Sequence, residues 1–89
     1  MSFQEKVFAV VKKTPRGQVL TYQQVAAKLG NVKLARAVGN ALNKNRDSRM
    51  PCHRVIRSDR RVGGFNRGPA RKIKLLKSEG VKIKNVKVL

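Results

Sequence analysis

The sequence predicts a single small α/β domain over residues 1–89, winged-helix-like and built around a helix-turn-helix. Three observations predict it. A chain of 89 residues suits one compact unit and leaves no room for a second core of independent stability. Apolar residues recur at helical spacing in four stretches, and the break between the second and third is a tight turn containing Gly30. Val55-Ile56 opens a short hairpin or wing, and the tail from Val81 to Leu89 alternates loosely and can add a strand, which supplies the β part.

The elements follow in order. Ser2-Phe3-Gln4-Glu5 has capping-box spacing, and Phe3, Val7, Val10 and Val11 continue at helical intervals to Thr14-Pro15, so a first helix covers about residues 3 to 13. Thr21-Tyr22-Gln23-Gln24 repeats the cap and opens a second helix to about Leu29. Gly30-Asn31 ends it, and a third helix carries Leu34, Val38, Ala41 and Leu42 on one face. The opposite face is small, with Ala35, Ala37, Gly39 and Asn40 beside one long side chain, Arg36, which permits close approach to a groove. The polar stretch from Asn43 to Met50 is a loop. Val55-Ile56, the Ser58-Asp59-Arg60-Arg61 turn and Val62-Gly63-Gly64-Phe65 read as a hairpin or wing. Pro69 at a first helical position, Ile73, Leu75 and Leu76, and Gly80 as a stop define a fourth helix.

Charge narrows the partner. Twenty-two Lys and Arg against four Asp and Glu give a formal net charge of +18, spread from Lys6 to Lys87 rather than gathered in a tail. A folded surface of that potential attracts phosphates, and nucleic acid leads over ribosomal binding, acidic membranes or plain solubility. No apolar run approaches the roughly 18 residues of a spanning helix, and Met1 leads directly into an amphipathic segment, so the protein is expected inside the cell, at the nucleoid or in the nucleus, with no membrane partner. One cysteine excludes an internal disulfide, and one cysteine with one histidine is too few for a structural zinc site, so no metal is expected.

Cys52 is therefore either an inert buried thiol with an incidental histidine neighbour or a chemical one, and Pro51-Cys52-His53-Arg54-Val55 is the segment that bears on the choice. It sets the single thiol beside the single imidazole after a proline that restrains the backbone. Thiolate is the strongest side-chain nucleophile, but a thiol with a pKa of about 8.5 needs a base and a positive surround to ionise at neutral pH. Glu79 has its own signal, because the last turn of a helix disfavours negative charge by roughly a few tenths of a kcal/mol. A carboxylate kept there points to use.

Residues 3 to 81 resemble the C-terminal domain of the O6-alkylguanine-DNA alkyltransferases, the methylated-DNA-protein-cysteine methyltransferases. The resemblance rests on Gly17 before a strand, Thr21-Tyr22-Gln23-Gln24-Val25-Ala26, Ala35-Arg36-Ala37-Val38-Gly39, Pro51-Cys52-His53-Arg54-Val55, Gly63-Gly64-Phe65, and Leu75-Leu76 with Glu79-Gly80. The family's usual N-terminal domain has no counterpart in these residues.

The resemblance implies a single-turnover transferase without a cofactor, acting as a monomer on double-stranded DNA that contains O6-alkylguanine. Cys52 accepts the alkyl group, His53 takes the thiol proton through a water, Glu79 orients the imidazole, and Asn45 bridges the recognition helix to the active-site loop, although that loop is one residue short of the family's. Tyr22 crowds the phosphate beside the lesion and helps bind the extruded base. Arg36 fills the gap the base leaves. Ala37, Gly39 and Asn40 line the minor-groove face, and Val55, Phe65 and Asn66 form the base pocket. The family usually carries tyrosine at Phe65 and a small residue near Asn66. Two rivals remain open: a noncatalytic alkyltransferase-like lesion binder, in which tryptophan usually replaces the cysteine, and a plain helix-turn-helix regulator.

Overall fold

The computed structural model describes residues 2–45, 49–63 and 68–89. Among these, the order is α1 (Phe3–Lys12), β1 (Leu20–Thr21), α2 (Tyr22–Lys28), a 3-10 turn (Val32–Leu34), α3 (Ala35–Asn43), a second 3-10 turn (Cys52–Arg54), β2 (Val55–Ile56), α4 (Pro69–Ser78), β3 (Ile83–Lys84) and β4 (Lys87–Val88). The predicted α/β class and the helix-turn-helix are both present. No helix of the described residues is long and apolar enough to cross a membrane.

The helix limits follow local chemistry. Ser2 Oγ accepts the Glu5 N–H at 3.1 Å and starts α1. At α2 the capping box is complete: Thr21 Oγ1 accepts from Gln24 N at 3.1 Å, and Gln24 Oε1 accepts from Thr21 N at 2.8 Å. Both α2 and α4 end in the same double-bonded reversal. Gly30 N–H bonds Ala27 O while Asn31 N–H bonds Ala26 O, and Gly80 N–H bonds Lys77 O while Val81 N–H bonds Leu76 O. The glycines take φ of 98° and 88° there, a conformation that side chains disfavour.

Two clusters of buried side chains meet at β2. Val7, Val11, Val25, Ala26, Val38, Ala41, Leu42, Cys52 and Val55 pack α1, α2 and α3 together. Ile56, Val62, Leu76, Val81 and Val88 pack α4 against the tail. Adjacent strand residues point to opposite faces, so Val55 and Ile56 each enter a different cluster and join the two into one body.

The wing differs from the expectation of a hairpin over Val55 to Phe65. β2 pairs in parallel with β1, Leu20 opposite Val55 and Thr21 opposite Ile56, rather than with the segment after the turn. The chain does double back, with Arg57 N–H on Arg61 O at 2.9 Å, but Arg61 then bridges Lys87, and Val62 N–H bonds Val86 O at 2.8 Å. The tail contributes an antiparallel hairpin of its own, Ile83 opposite Val88. The returning strand's hydrogen bonds are thus taken by the tail, and β2 is left to β1. Gly64 and Phe65 lie outside the described residues.

Candidate active site and nucleic-acid interface

Cys52 sits in the 3-10 turn between the α3 loop and β2, 6% exposed, with Pro51 buried before it. The turn is held by Cys52 N–H on Met50 O at 2.8 Å and Arg54 N–H on Pro51 O at 3.0 Å. Asn45 Nδ2 donates to Cys52 Sγ at 3.3 Å, so Asn45 reaches the sulfur across the short loop. An amide N–H aimed at sulfur favours the anionic form of that sulfur.

His53 lies behind it, its side chain 11% exposed, with Nε2 3.0 Å from Glu79 Oε2. Glu79 caps α4, and the Gly80 reversal holds it there, which turns its carboxylate toward the 3-10 turn. The predicted Cys52, His53, Glu79 and Asn45 are therefore brought into one cluster. Burial pushes the His53 pKa down most, and together with the Arg54 and Lys72 charges it outweighs the upward pull of the Glu79 hydrogen bond and charge. His53 is accordingly neutral at pH 7. The Glu79 carboxyl is held down at about 2, first by its hydrogen bond from Arg54 and then, against burial, by that from His53. Because an ionised carboxylate only accepts, Nε2 carries the hydrogen and Nδ1 keeps the lone pair.

Two residues to which the sequence reading gave no role complete the cluster. Arg54 donates to Glu79 twice, from Nε at 3.0 Å and from Nη2 at 2.6 Å, and from Nη1 to Thr14 O at 2.9 Å. Lys72, on α4, is 1% exposed, and its Nζ donates to Val55 O at 2.6 Å. Burial lowers its pKa to about 8, with the Cys52 sulfur pulling the other way. The ammonium also lies 6.0 Å from the Tyr22 ring centre. In sequence, Arg54 and Lys72 are two among 22 cations, and only the folding of α4 onto the Cys52 turn distinguishes them. Tyr22, half-buried at the start of α2, has its phenol pKa raised by burial and then by the Cys52 sulfur, and so remains a donor.

The outward face of α3 forms one wall of an open cleft of about 620 Å³, with Tyr22, Ala35, Arg36, Gly39, Asn40 and Arg57 among its lining. Arg36 and Asn40 are exposed. Ala37 is half-buried and lies outside that lining. Glycine inside a helix costs about 0.5–1 kcal/mol relative to alanine. A Cβ at Gly39 would meet only Tyr22 Cε1 at 3.8 Å, an ordinary contact, so internal packing does not demand glycine there. Val55 is fully buried in β2 and presents its carbonyl to Lys72. Phe65 and Asn66, the other expected pocket residues, lie outside the described residues.

Comparison with known proteins places the fold in a family. Residues 2–81 match the family model of the 6-O-methylguanine DNA methyltransferase DNA-binding domain. A methylated-DNA–protein-cysteine methyltransferase of Saccharolobus islandicus is 49% identical over 82 residues, which are 91% of this chain and 52% of the relative. A bifunctional methyltransferase/endonuclease of Picrophilus torridus is 39% identical over 83 residues, 92% of this chain and 28% of the relative. The chain thus spans about half the length, or less, of these curated relatives. Mycobacterium tuberculosis OGT in complex with DNA superposes with a TM-score of 0.85 at 34% identity, covering 90% of this chain and 49% of that one. Schizosaccharomyces pombe Atl1 in complex with damaged DNA containing O6-carboxymethylguanine superposes at 0.81 with 33% identity, covering 92% and 79%. With its match running through the helix-turn-helix, the Cys52 turn and the Glu79 cap, this chain belongs to the 6-O-methylguanine DNA methyltransferase DNA-binding-domain family.

Proposed function

We propose that this domain binds duplex DNA through the α3 face and takes an alkyl group from O6 of guanine onto Cys52, once per molecule. The observation that carries the reading is the sole thiol placed against Asn45, with a neutral imidazole and an ionised carboxylate behind it. Cys52 gives its proton to His53 through a water. The sulfur attacks the alkyl carbon, the S–C bond forms as the C–O6 bond breaks, and the electron pair left on the base takes up one proton, replacing overall the one Cys52 gave to His53, so that guanine is regenerated and His53 returns to neutral. A thioether is inert and the chain holds no second thiol to remove it. Reaching a buried sulfur requires the base to leave the stack, at about a few kcal/mol. The cleft supports that step with Arg36 for the vacated position and the Tyr22 hydroxyl as a donor to the base. The small α3 face suits a minor groove about 6 Å wide.

Intact-mass measurement after mixing with excess duplex carrying O6-methylguanine tests the reading. The expected result is a gain of one methyl, about 14 Da, mapped to Cys52 and resistant to thiol reductants. Cys52→Ser should bind the same duplex and gain nothing. Tight lesion binding without a mass gain in the unaltered protein would instead favour a noncatalytic lesion binder, and preference for one DNA sequence without lesion preference would favour a regulator. Removal of many methyl groups per chain would also overturn the mechanism.

Arg36 has its own test. Arg36→Ala is expected to slow transfer from duplex DNA by about tenfold or more while leaving transfer from free O6-benzylguanine within about twofold, because the free base has no stack to leave. Equal losses on both substrates would remove Arg36 from base extrusion.

A further inference from the structure

Arg54 is half-buried, and three hydrogen bonds from its guanidinium run inward. Two go to both oxygens of Glu79 and the third to the carbonyl of Thr14, just past the end of α1. Glu79 therefore serves two partners with one carboxylate: Oε2 meets both His53 Nε2, at 3.0 Å, and Arg54 Nη2, at 2.6 Å. These partners make opposite demands. A carboxylate alone beside an imidazole stabilises imidazolium, a base already protonated and useless for taking a thiol proton. A guanidinium is planar and permanently charged, and its fork fits a carboxylate at two points, so it can fix that carboxylate's orientation and offset its charge together.

We propose that Arg54 is a positioning residue for the transfer reaction. By clamping Glu79 between the end of α4 and Thr14, it lets the carboxylate orient His53 through Nε2 without drawing a proton onto the ring. The proposal deepens the alkyl-transfer reading and rests on it for its purpose, but its physical content concerns His53 and is measurable without any substrate. Among the described residues, the charged and titratable groups around His53 are Glu79 and Lys72 from α4, and Arg54 and Cys52 on its own turn. Burial lowers the His53 pKa most, Glu79 raises it, and Arg54 and Lys72 lower it, so removing Arg54 leaves Glu79 less opposed.

His53 is the only histidine, so its ring C–H signals in a proton NMR pH titration need no assignment. In the unaltered protein the midpoint is expected below 6.5, the ordinary imidazole value. In Arg54→Gln it should rise above that of the unaltered protein, and the acid limb of the single-turnover rate profile with O6-benzylguanine should move upward with it. Arg54→Lys, which keeps a charge but loses the fork, should fall between. A folded Arg54→Gln protein with the original His53 midpoint would overturn the proposal, leaving Arg54 a structural tie. Should Arg54→Gln fail to fold, a midpoint in Arg54→Lys equal to the original, or one above 6.5 in the unaltered protein, overturns it equally. If the midpoints shift as expected while no alkyl is ever transferred, the failure belongs to the proposed function and not to Arg54's effect on the ring.

Discussion

Glu79→Gln is expected to slow alkylation of Cys52 by about 10²-fold, the lower range for loss of effective general-base help, while leaving DNA affinity nearly unchanged. The amide keeps the size of the carboxylate but not its charge. It can no longer accept His53 Nε2–H and both Arg54 donors with equal strength, so the imidazole loses orientation and basicity and less thiolate forms. The same substitution should destabilise the fold by about 2–3 kcal/mol. Removing one member of a buried ion pair typically costs about 3–5 kcal/mol, and here Arg54 keeps Thr14 O and is 16% exposed, which reduces the loss.

The pH dependence has a definite sign. Glu79 is held at about 2 against an ordinary 4.5, so its contribution to stability is complete above 4.5 and disappears as pH falls toward 2. Urea denaturation between pH 7 and pH 3 should show this acid loss in the unaltered protein and a flatter dependence in Glu79→Gln. Unchanged rate and stability in the variant would leave the Glu79 charge without a part in either the chemistry or the fold.

Raising salt from 50 to 200 mM should weaken binding to undamaged duplex by about 10³-fold or more, if at least six phosphates are neutralised. The expectation follows from 22 basic residues against four acidic ones, with Arg36 and Arg57 both lining the α3 cleft. Each neutralised phosphate releases counterions, and the logarithm of affinity falls linearly with that of salt at about −0.9 per contact. Fluorescence anisotropy with a labelled duplex measures the slope directly. A slope near zero would refute the electrostatic reading of the surface, whatever the fate of the Cys52 chemistry.

By itself the sequence determined what neighbouring residues decide among themselves. The Thr21-Gln24 box and the stops at Gly30 and Gly80 satisfy backbone groups within a few positions, Pro69 starts α4 where its missing N–H costs nothing, and so all were legible. The adjacency of Cys52 and His53 was likewise written in the chain, and family resemblance linked them to Glu79 and Asn45. The tertiary structure alone decided the rest. β1 and β2 are two residues each and 35 positions apart, too short for any periodicity to reveal their pairing. The tail hairpin turns at Asn85-Val86, with φ of 50° and 60°, where a β-branched valine stands in place of the usual glycine and hides the signal. Arg54 and Lys72 look like every other cation until α4 covers the Cys52 turn. What sets them apart is loss of water around particular atoms, and that depends on which surfaces meet across the whole fold, not on any local pattern of residues.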